Sequence, residues 1–552
     1  MKKSLALVSA FTFTLLYGIL GILIAIVCYV CEAPAAGAIG ILIAIVVIQF
    51  LVSPFLTDLN MKWFYKAQFG APIPEYLKEF IEEACKEKKM KYPRIAIISD
   101  GAPNAFTYGR TKRDARIVIT KGIFDLLDEE EVKAVVAHEI GHAVHYDMLL
   151  MTAIQLVPMV LYAIFDACMS TNTKSVKKKS SSSSSDDDSK GAAVVFIIGM
   201  IALLLYIISE YIVLWFSRTR EYYADEFSAR FTGNPNALAS GLVQIGLGLS
   251  TRKSTAKHDD MRHSASSPSP LGISDAKTSA GLAVCCIDDG HINKEYIKDS
   301  MKWDMWNVWA KLYELGSTHP LTSKRIIALG KISEELGQKP YVEFDLEKKE
   351  SYVDDFLREL ILIFAPLTFF LAGIIAGLVL ANSQPTADLG VVIIAAGCVL
   401  MMIASLIKFR HCHPGGYKMH DIRSLLGEVK VSGITSIPCE LEGEIIGRGN
   451  PGCIFNEDFV LKDDTGIMLL DYDQPVSIVN KLFAIFKSEE YFHKTVHIKG
   501  WYRRKPTPYV ELKSFEVDGK VKKCHSVTFG YVWRYIILVI AAAFLIFAAA
   551  ML

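Results

Sequence analysis

Seven stretches of nearly uninterrupted apolar residues dominate the chain, at 4–30, 36–56, 148–169, 192–216, 357–381, 389–407 and 531–552. Each is about 20 residues or longer, the length at which a helix rising ~1.5 Å per residue crosses a hydrocarbon core of ~30 Å. The pattern predicts a multi-pass α-helical membrane protein. The first run follows Met1, Lys2 and Lys3, but it is too long for the apolar part of a signal peptide, and a second run follows almost at once. It reads as a retained anchor.

Between these runs the polar stretches carry two periodicities. Within 57–147, residues 74–91 place Leu77, Phe80, Ile81 and Ala84 on one helical face, whereas 94–99 and 115–120 alternate or run apolar like strands. Asp128 with Glu131 three residues on has the form of a capping box, and Val132, Val135, Val136 and Ile140 then recur at helical spacing. Serine and charge without periodicity at 171–190, and Ser and Pro at about 250–279, predict disordered connectors. Helical patterning resumes over 294–313 and 323–336. Beyond residue 410 short strands are separated by turn residues, at 427–433, 439–446, 459–472, 495–502 and 508–517, which predicts a small OB-like β-barrel.

Composition narrows the partners more than the fold. At 51% hydrophobic residues the chain is too apolar for an ordinary soluble domain, and 59 basic against 59 acidic residues leave no net field to gather a polyanion. Nucleic acid is therefore not expected as a partner. Trp501, Tyr502, Arg503, Arg504 and Lys505 would make a stacking and cationic patch on an OB-like face, yet a membrane-proximal interaction or lid domain is the preferred reading. The 11 scattered cysteines, odd in number, argue against a disulfide framework; Cys28 and Cys31 read as membrane-edge residues, and His411, Cys412 and His413 as a juxtamembrane linker. With the N terminus inside, Lys62, Lys66, Arg218, Arg220, Arg358, Lys408, Arg410 and Lys522 all fall on the cytoplasmic side. The lysines of 174–190 oppose that orientation and are partly offset by Asp186, Asp187 and Asp188.

The segment His138-Glu139-Ile140-Gly141-His142 carries the candidate chemistry. On a helix its two imidazoles project from one face a turn apart, as two ligands of one tetrahedral zinc require, and Glu139 is rotated toward a water rather than the metal. A third protein ligand must come from elsewhere. Glu221 and Asp225, four residues apart on a helix leaving the fourth run, are the candidates. His142 precedes the third run and Glu221 follows the fourth by similar lengths, so both stand about 8 Å above the same membrane face. His145 and Asp147, close behind His142, point away from or beyond a metal held there.

These segments resemble the HtpX-like membrane zinc peptidases, relatives of the CAAX prenyl proteases. The resemblance rests on His138 to His142 followed by Asp147, on Ser217-Arg218-Thr219-Arg220-Glu221-Tyr222-Tyr223-Ala224-Asp225, on Asn104-Ala105-Phe106 with Gly109, and on Ser317-Thr318-His319-Pro320 with Arg325 and Ile326. It covers roughly 1–336; the insertion at 250–279 and everything after about 351 depart from the family pattern. It implies one zinc ion held by His138, His142 and Glu221, with Asp225 supporting the site. It further implies Glu139 as the catalytic base, His319 and Arg325 near the zinc to stabilise the transition state, and Asn104, Ala105 and Phe106 bordering the substrate cleft. The implied activity is a zinc metalloendopeptidase acting on misfolded or damaged membrane proteins, with its site facing the cytoplasm. A prenyl-protein protease is the alternative nearest in chemistry. A membrane scaffold with a structural zinc would have no use for Glu139 as a base. The expected plan is a transmembrane hairpin (1–56), then a mainly α, α+β zincin-type domain (57–350) interrupted by a transmembrane hairpin at about 148–216. A third hairpin (351–408), an OB-like β domain (409–528) and a C-terminal transmembrane helix (529–552) complete it.

Overall fold

A computed structural model describes residues 5–30, 35–179, 186–250, 287–288, 291–292, 294–344, 350–382, 386–449 and 456–551. Two compact units divide the chain, one built mainly from 1–249 and 314–341, the other chiefly from 277–313 and 342–552. Six helices among the described residues are long and apolar enough to cross a membrane. They coincide with six of the seven apolar runs; the run at 36–56 lies in a further helix.

In the first unit, α1 (Leu5–Val30), α6 (Asp147–Lys179) and α7 (Asp186–Thr232) pack through Leu16, Leu20, Leu23, Ile154, Leu161 and Phe216. Their outward side chains, such as Ile22 and Leu204, stay apolar and exposed, as a lipid-facing surface requires. α2 (Ala35–Trp63) ends at a four-stranded sheet of β1 (Gln68–Phe69), β2 (Arg94–Ile98), β3 (Ala105–Gly109) and β4 (Ala115–Thr120) in the order β1-β2-β4-β3. β2 and β4 run parallel, and β3 lies antiparallel to β4 at the edge. Asp58 near the end of α2 accepts from Tyr108 Oη at 2.7 Å, Arg116 Nε at 3.0 Å and Arg94 Nη1 at 3.0 Å, which fixes the helix to the sheet.

Helix α3 (Glu75–Glu87) buries Leu77, Ile81 and Ala84 of the stripe its periodicity predicts, with Phe80 half-buried. After α4 (Lys121–Leu126), the capping box opens α5 (Glu129–Val144): Asp128 Oδ1 accepts from Glu131 N at 2.8 Å, and Glu131 Oε2 accepts from Asp128 N at 3.1 Å. α5 crosses α7 closely. A Cβ on Gly141 would meet the Ala224 Cα at 3.2 Å, and Ser228 Oγ donates to the Ala134 carbonyl at 2.6 Å. α8 (Pro235–Ser250) and α9 (Thr322–Glu335) complete this unit. The connector expected at 171–190 is helical on both flanks, because lengthening a formed helix carries no new nucleation cost. Residues 180–185, most of the connector expected at 250–279, and Cys31 lie outside the described residues.

In the second unit, α10 (Val353–Ala381) and α11 (Ala387–Cys412) form a hairpin tight enough that a Cβ on Gly373 would stand 2.7 Å from the Gly397 Cα, the close approach small residues permit in membranes. A C-terminal sheet region follows, with β5 (Ile437–Arg448), β6 (Phe459–Asp463), β7 (Gly466–Asp471), β8 (Thr495–Arg504), β9 (Pro508–Val517) and β10 (Lys520–Lys523). β5 pairs with β6 and β8, β6 with β7, and β8 with β9, all antiparallel; β9 then pairs parallel with β7, so the pairings return on themselves. The strand expected at 427–433 is absent. Its Val429 and Val431 carbonyls accept instead from Asn307 Nδ2 and Trp303 Nε1. The run 459–472 is a hairpin of two strands, turned where Asp463 Oδ1 accepts from Thr465 N and Gly466 N. α12 (Ser477–Phe486) lies between β7 and β8, and α13 (Ser526–Ala550) ends the chain's described part.

Four of the five residues weighed as a nucleic-acid patch are interior; Lys505 is exposed. Trp501, Tyr502, Arg503 and Arg504 are all buried, with Trp501 Nε1 bonded to the Pro414 carbonyl and Arg504 to the Leu426 and Ser300 carbonyls. Of the 411–413 cluster, His413 reaches Glu511 and His411 reaches Thr435, so these side chains do not converge.

Candidate active site

Helix α5 brings His138 and His142 onto one face with their rings 4.7 Å apart and nearly perpendicular. Their Nε2 atoms stand 3.1 Å from each other. From α7, Glu221 reaches the same point, with Oε2 3.5 Å from His138 Nε2 and Oε1 3.6 Å from His142 Nε2. One donor atom from each of the three lies within 4.8 Å of the others. Among the described residues, Glu221 Oε2 is buried without a hydrogen-bond partner; Arg325 Nη1, at 3.6 Å, is too far to serve. A buried, unsatisfied carboxylate oxygen facing two imidazole nitrogens is costly unless a cation sits between them. The donor set therefore fits a metal ion.

Each imidazole is held from behind. His138 Nδ1 lies 2.9 Å from Asp225 Oδ1, one helical turn after Glu221, and Arg325 on α9 binds both oxygens of Asp225, at 2.6 and 2.9 Å. Burial works against a charged His138, but the Asp225 and Glu221 carboxylates outweigh it and raise its pKa to about 9. His142 Nδ1 lies 2.7 Å from Asp147 Oδ2. Glu139 is almost fully buried between them, and its backbone carbonyl accepts from Thr107 Oγ1 of β3 at 3.1 Å, which ties the edge strand to the helix.

The loop before α9 puts His319 Nε2 3.8 Å from Glu221 Oε1. Arg218 of α7 fixes that loop by donating through Nη1 to the carbonyls of Glu314, Ser317 and Leu315, at 2.7, 2.7 and 3.1 Å. Arg325 lies near the site, with Nη1 3.6 Å from Glu221 Oε2, and its guanidinium, 1% exposed, is engaged with Asp225 because the buried carboxylate on the facing helix supplies a bidentate partner. Asn104, just before the edge strand, and Ala105 and Phe106 within it are buried. Asp147 lies beyond the metal-facing nitrogens, as expected, and from there braces a ligand. Tyr146, at φ 60°, turns the chain back so that the first residue of α6 meets His142. An acidic residue five positions after the motif, at the start of the next helix, is the signal that marks it.

Membrane-spanning helices that carry a buried two-histidine, one-carboxylate centre define a membrane metallopeptidase. Comparison with known proteins agrees. The family model described as Peptidase family M48 matches residues 74–333. A Protease HtpX homolog of Methanothermobacter thermautotrophicus is 36% identical over 206 residues, covering 37% of this chain and 71% of the relative. Another from Aeropyrum pernix is 26% identical over 303 residues, covering 53% and 85%. The crystal structure of S. mikatae Ste24p aligns over 59% of this chain and 65% of its own at 18% identity, with a TM-score of 0.33, too distant to define a shared fold. The chain belongs to Peptidase family M48, among the HtpX homologues, and is an integral membrane protein.

Proposed function

We propose that the protein is a zinc-dependent endopeptidase that cuts misfolded or damaged membrane proteins at the cytoplasmic face. The observation that carries this reading is the convergence of His138, His142 and Glu221 on one point, with a buried carboxylate oxygen left unpartnered. Two imidazoles and a carboxylate are the protein ligands of a catalytic zinc that keeps one position open, and the three would hold one ion per chain. When bound, zinc supplies Lewis acidity toward a peptide carbonyl and acidifies a water molecule toward neutrality.

Glu139, next to His138 on the same helix, takes the proton of the attacking water and hands it to the leaving amine. Asp147 accepts the Nδ1–H of His142, and the Asp225 carboxylate stands 2.9 Å behind His138 Nδ1, an arrangement that favours the tautomers leaving each Nε2 free for the ion. Arg325 is a positioning residue that neutralises and orients Asp225. His319 faces the charge that develops on the carbonyl oxygen. Strand β3 lies at the edge of its sheet beside the site, and recognition of an extended peptide through backbone there would tolerate many sequences, as a protease of damaged proteins needs. The basic residues flanking the spans support a cytoplasmic site. The returning strand pairings of β5 to β9 support an OB-like barrel within 409–528, acting as a membrane-proximal interaction domain.

The test is casein hydrolysis by the detergent-solubilised full chain. Activity should vanish with a zinc chelator, return with zinc, and be lost in Glu139→Gln and Glu221→Ala. Hydrolysis that persists through chelation and both substitutions removes the reading.

A further inference from the structure

Helix α12 turns a broad apolar stripe outward. Val476 just before it, then Ile478, Val479, Leu482, Ile485 and Phe486, are exposed by 39% (Ile485) to 71% (Phe486). Ile478, Leu482 and Ile485 follow one another at i, i+4 and i+7, so this is a single face. The opposite face is firmly seated: Ala484 is buried, Phe483 stacks on Tyr472 with ring centroids 4.2 Å apart, and Asn480 Nδ2 donates to Asp473 Oδ1 at 2.7 Å. The exposed stripe is thus not a frayed segment but the presented side of an anchored helix.

Its position in the unit says what covers it. Gln474, three residues ahead of α12, donates to the Lys523 carbonyl at 2.9 Å and accepts from the His525 backbone N–H at 3.2 Å. His525 is the N-cap of α13, one of the helices long and apolar enough to cross a membrane. Two hydrogen bonds therefore fix the start of α12 at the point where the chain enters the bilayer. Phe529, Val532 and Trp533 are exposed apolar side chains in the first turns of α13. Lys520, Lys522 and Lys523 of β10 are exposed beside that entry point, and Lys481 and Lys487 are exposed on and just after α12. Apolar stripe and lysines together match the two halves of an anionic lipid surface, acyl boundary and headgroups.

We propose that α12 is an interfacial helix, seated in the headgroup boundary of the bilayer that α13 enters, and that it holds the C-terminal sheet region against the membrane. The test replaces Phe486 by the photocrosslinking residue p-benzoylphenylalanine in the full chain, reconstituted in vesicles of phosphatidylcholine and phosphatidylglycerol. After irradiation, the peptide carrying residue 486 is expected to gain the mass of one phospholipid. Adding Ile478→Asp and Leu482→Asp, both at exposed positions, should reduce that adduct several-fold. The same probe at Trp533 in α13 gives the lipid adduct of a membrane-embedded site and shows that the chemistry works. If the Trp533 probe captures lipid while the residue-486 peptide stays unmodified, or is joined to a second copy of the chain or to another protein, the proposal is wrong.

Discussion

Replacing Asp225 by asparagine keeps the shape of the side chain and removes its charge, and the geometry behind His138 determines the consequences for stability and for metal binding. Asp225 is 1% exposed and is gripped on one side by both guanidinium arms of Arg325, itself 1% exposed, and on the other by His138 Nδ1. Breaking a buried ion pair by neutralising one partner costs about 3–5 kcal/mol, because the other charge stays in the interior uncompensated. Glu221 Oε2, 3.6 Å from Arg325 Nη1, recovers part of that cost. Separately, a ligating imidazole that loses its carboxylate partner binds metal about 10–100-fold more weakly, or ~1.4–2.8 kcal/mol. Two measurements separate the effects: thermal unfolding of the detergent-solubilised chain, and zinc competition against a chromophoric chelator. Asp225→Asn should lower both. Adding Arg325→Met removes the stranded charge and should restore part of the stability without restoring the affinity. Zinc affinity within twofold of the parent, together with a double variant no more stable than the single one, would refute the reasoning.

Other contacts give three further expectations. Arg218→Ala deprives three carbonyls of their shared donor and loosens the loop that carries His319; stability should fall by ~2 kcal/mol and kcat on casein should drop, with Arg218→Lys recovering little because an ammonium cannot span the same three acceptors. Gly141→Ala gains about 1 kcal/mol of helix propensity but drives a Cβ to 3.2 Å from the Ala224 backbone, so the net effect in thermal unfolding should be destabilising by ~1–2 kcal/mol; a more stable variant would mean that α5 and α7 can separate freely. In the C-terminal sheet region, burial and then the neighbouring Asp458 carboxylate raise Asp471 to about 7, and burial raises Asp458 to about 6. Both folded values exceed the unfolded value of about 3.9, so the folded state holds extra protons between, and its stability falls as pH rises from about 4 through 6–7. Asp471→Asn should therefore raise the unfolding free energy of that region at pH 8, by on the order of 2–4 kcal/mol, and leave it nearly unchanged at pH 4.

The parts of the fold that arise from local periodicity are legible in the sequence. α5 is announced by Asp128, Glu131 and the apolar spacing behind them, and the spacing of His138 and His142 places both on one face before any tertiary contact is known. The meeting with Glu221 is legible too, because two membrane helices of similar height carry both ends to one level. What depends on a change of chain direction is not. Nothing in the composition of Tyr146 signals its left-handed turn, so the contact of Asp147 with His142 is hidden. Arg325 shows the same limit across 100 residues of separation: its presence near the site can be inferred, but whether it faces substrate or a buried carboxylate depends on how α9 docks on α7. At 427–433 the alternation of Val429 and Val431 satisfies a strand pattern, yet the tertiary donors Trp303 and Asn307 claim the backbone first.

The junction at Asp58 bears on how such an enzyme can be handled. One carboxylate from α2 holds Arg116, which is 2% exposed and also bonded to Asp114, along with Arg94 and Tyr108. Trimming the chain to a fragment that begins after α2 would leave that guanidinium with Asp114 as its remaining carboxylate and open the cluster around Met61, Phe106 and Val118 to water. Helix α2 is thus a structural member of the first unit and not a detachable tether, and purification has to carry it along.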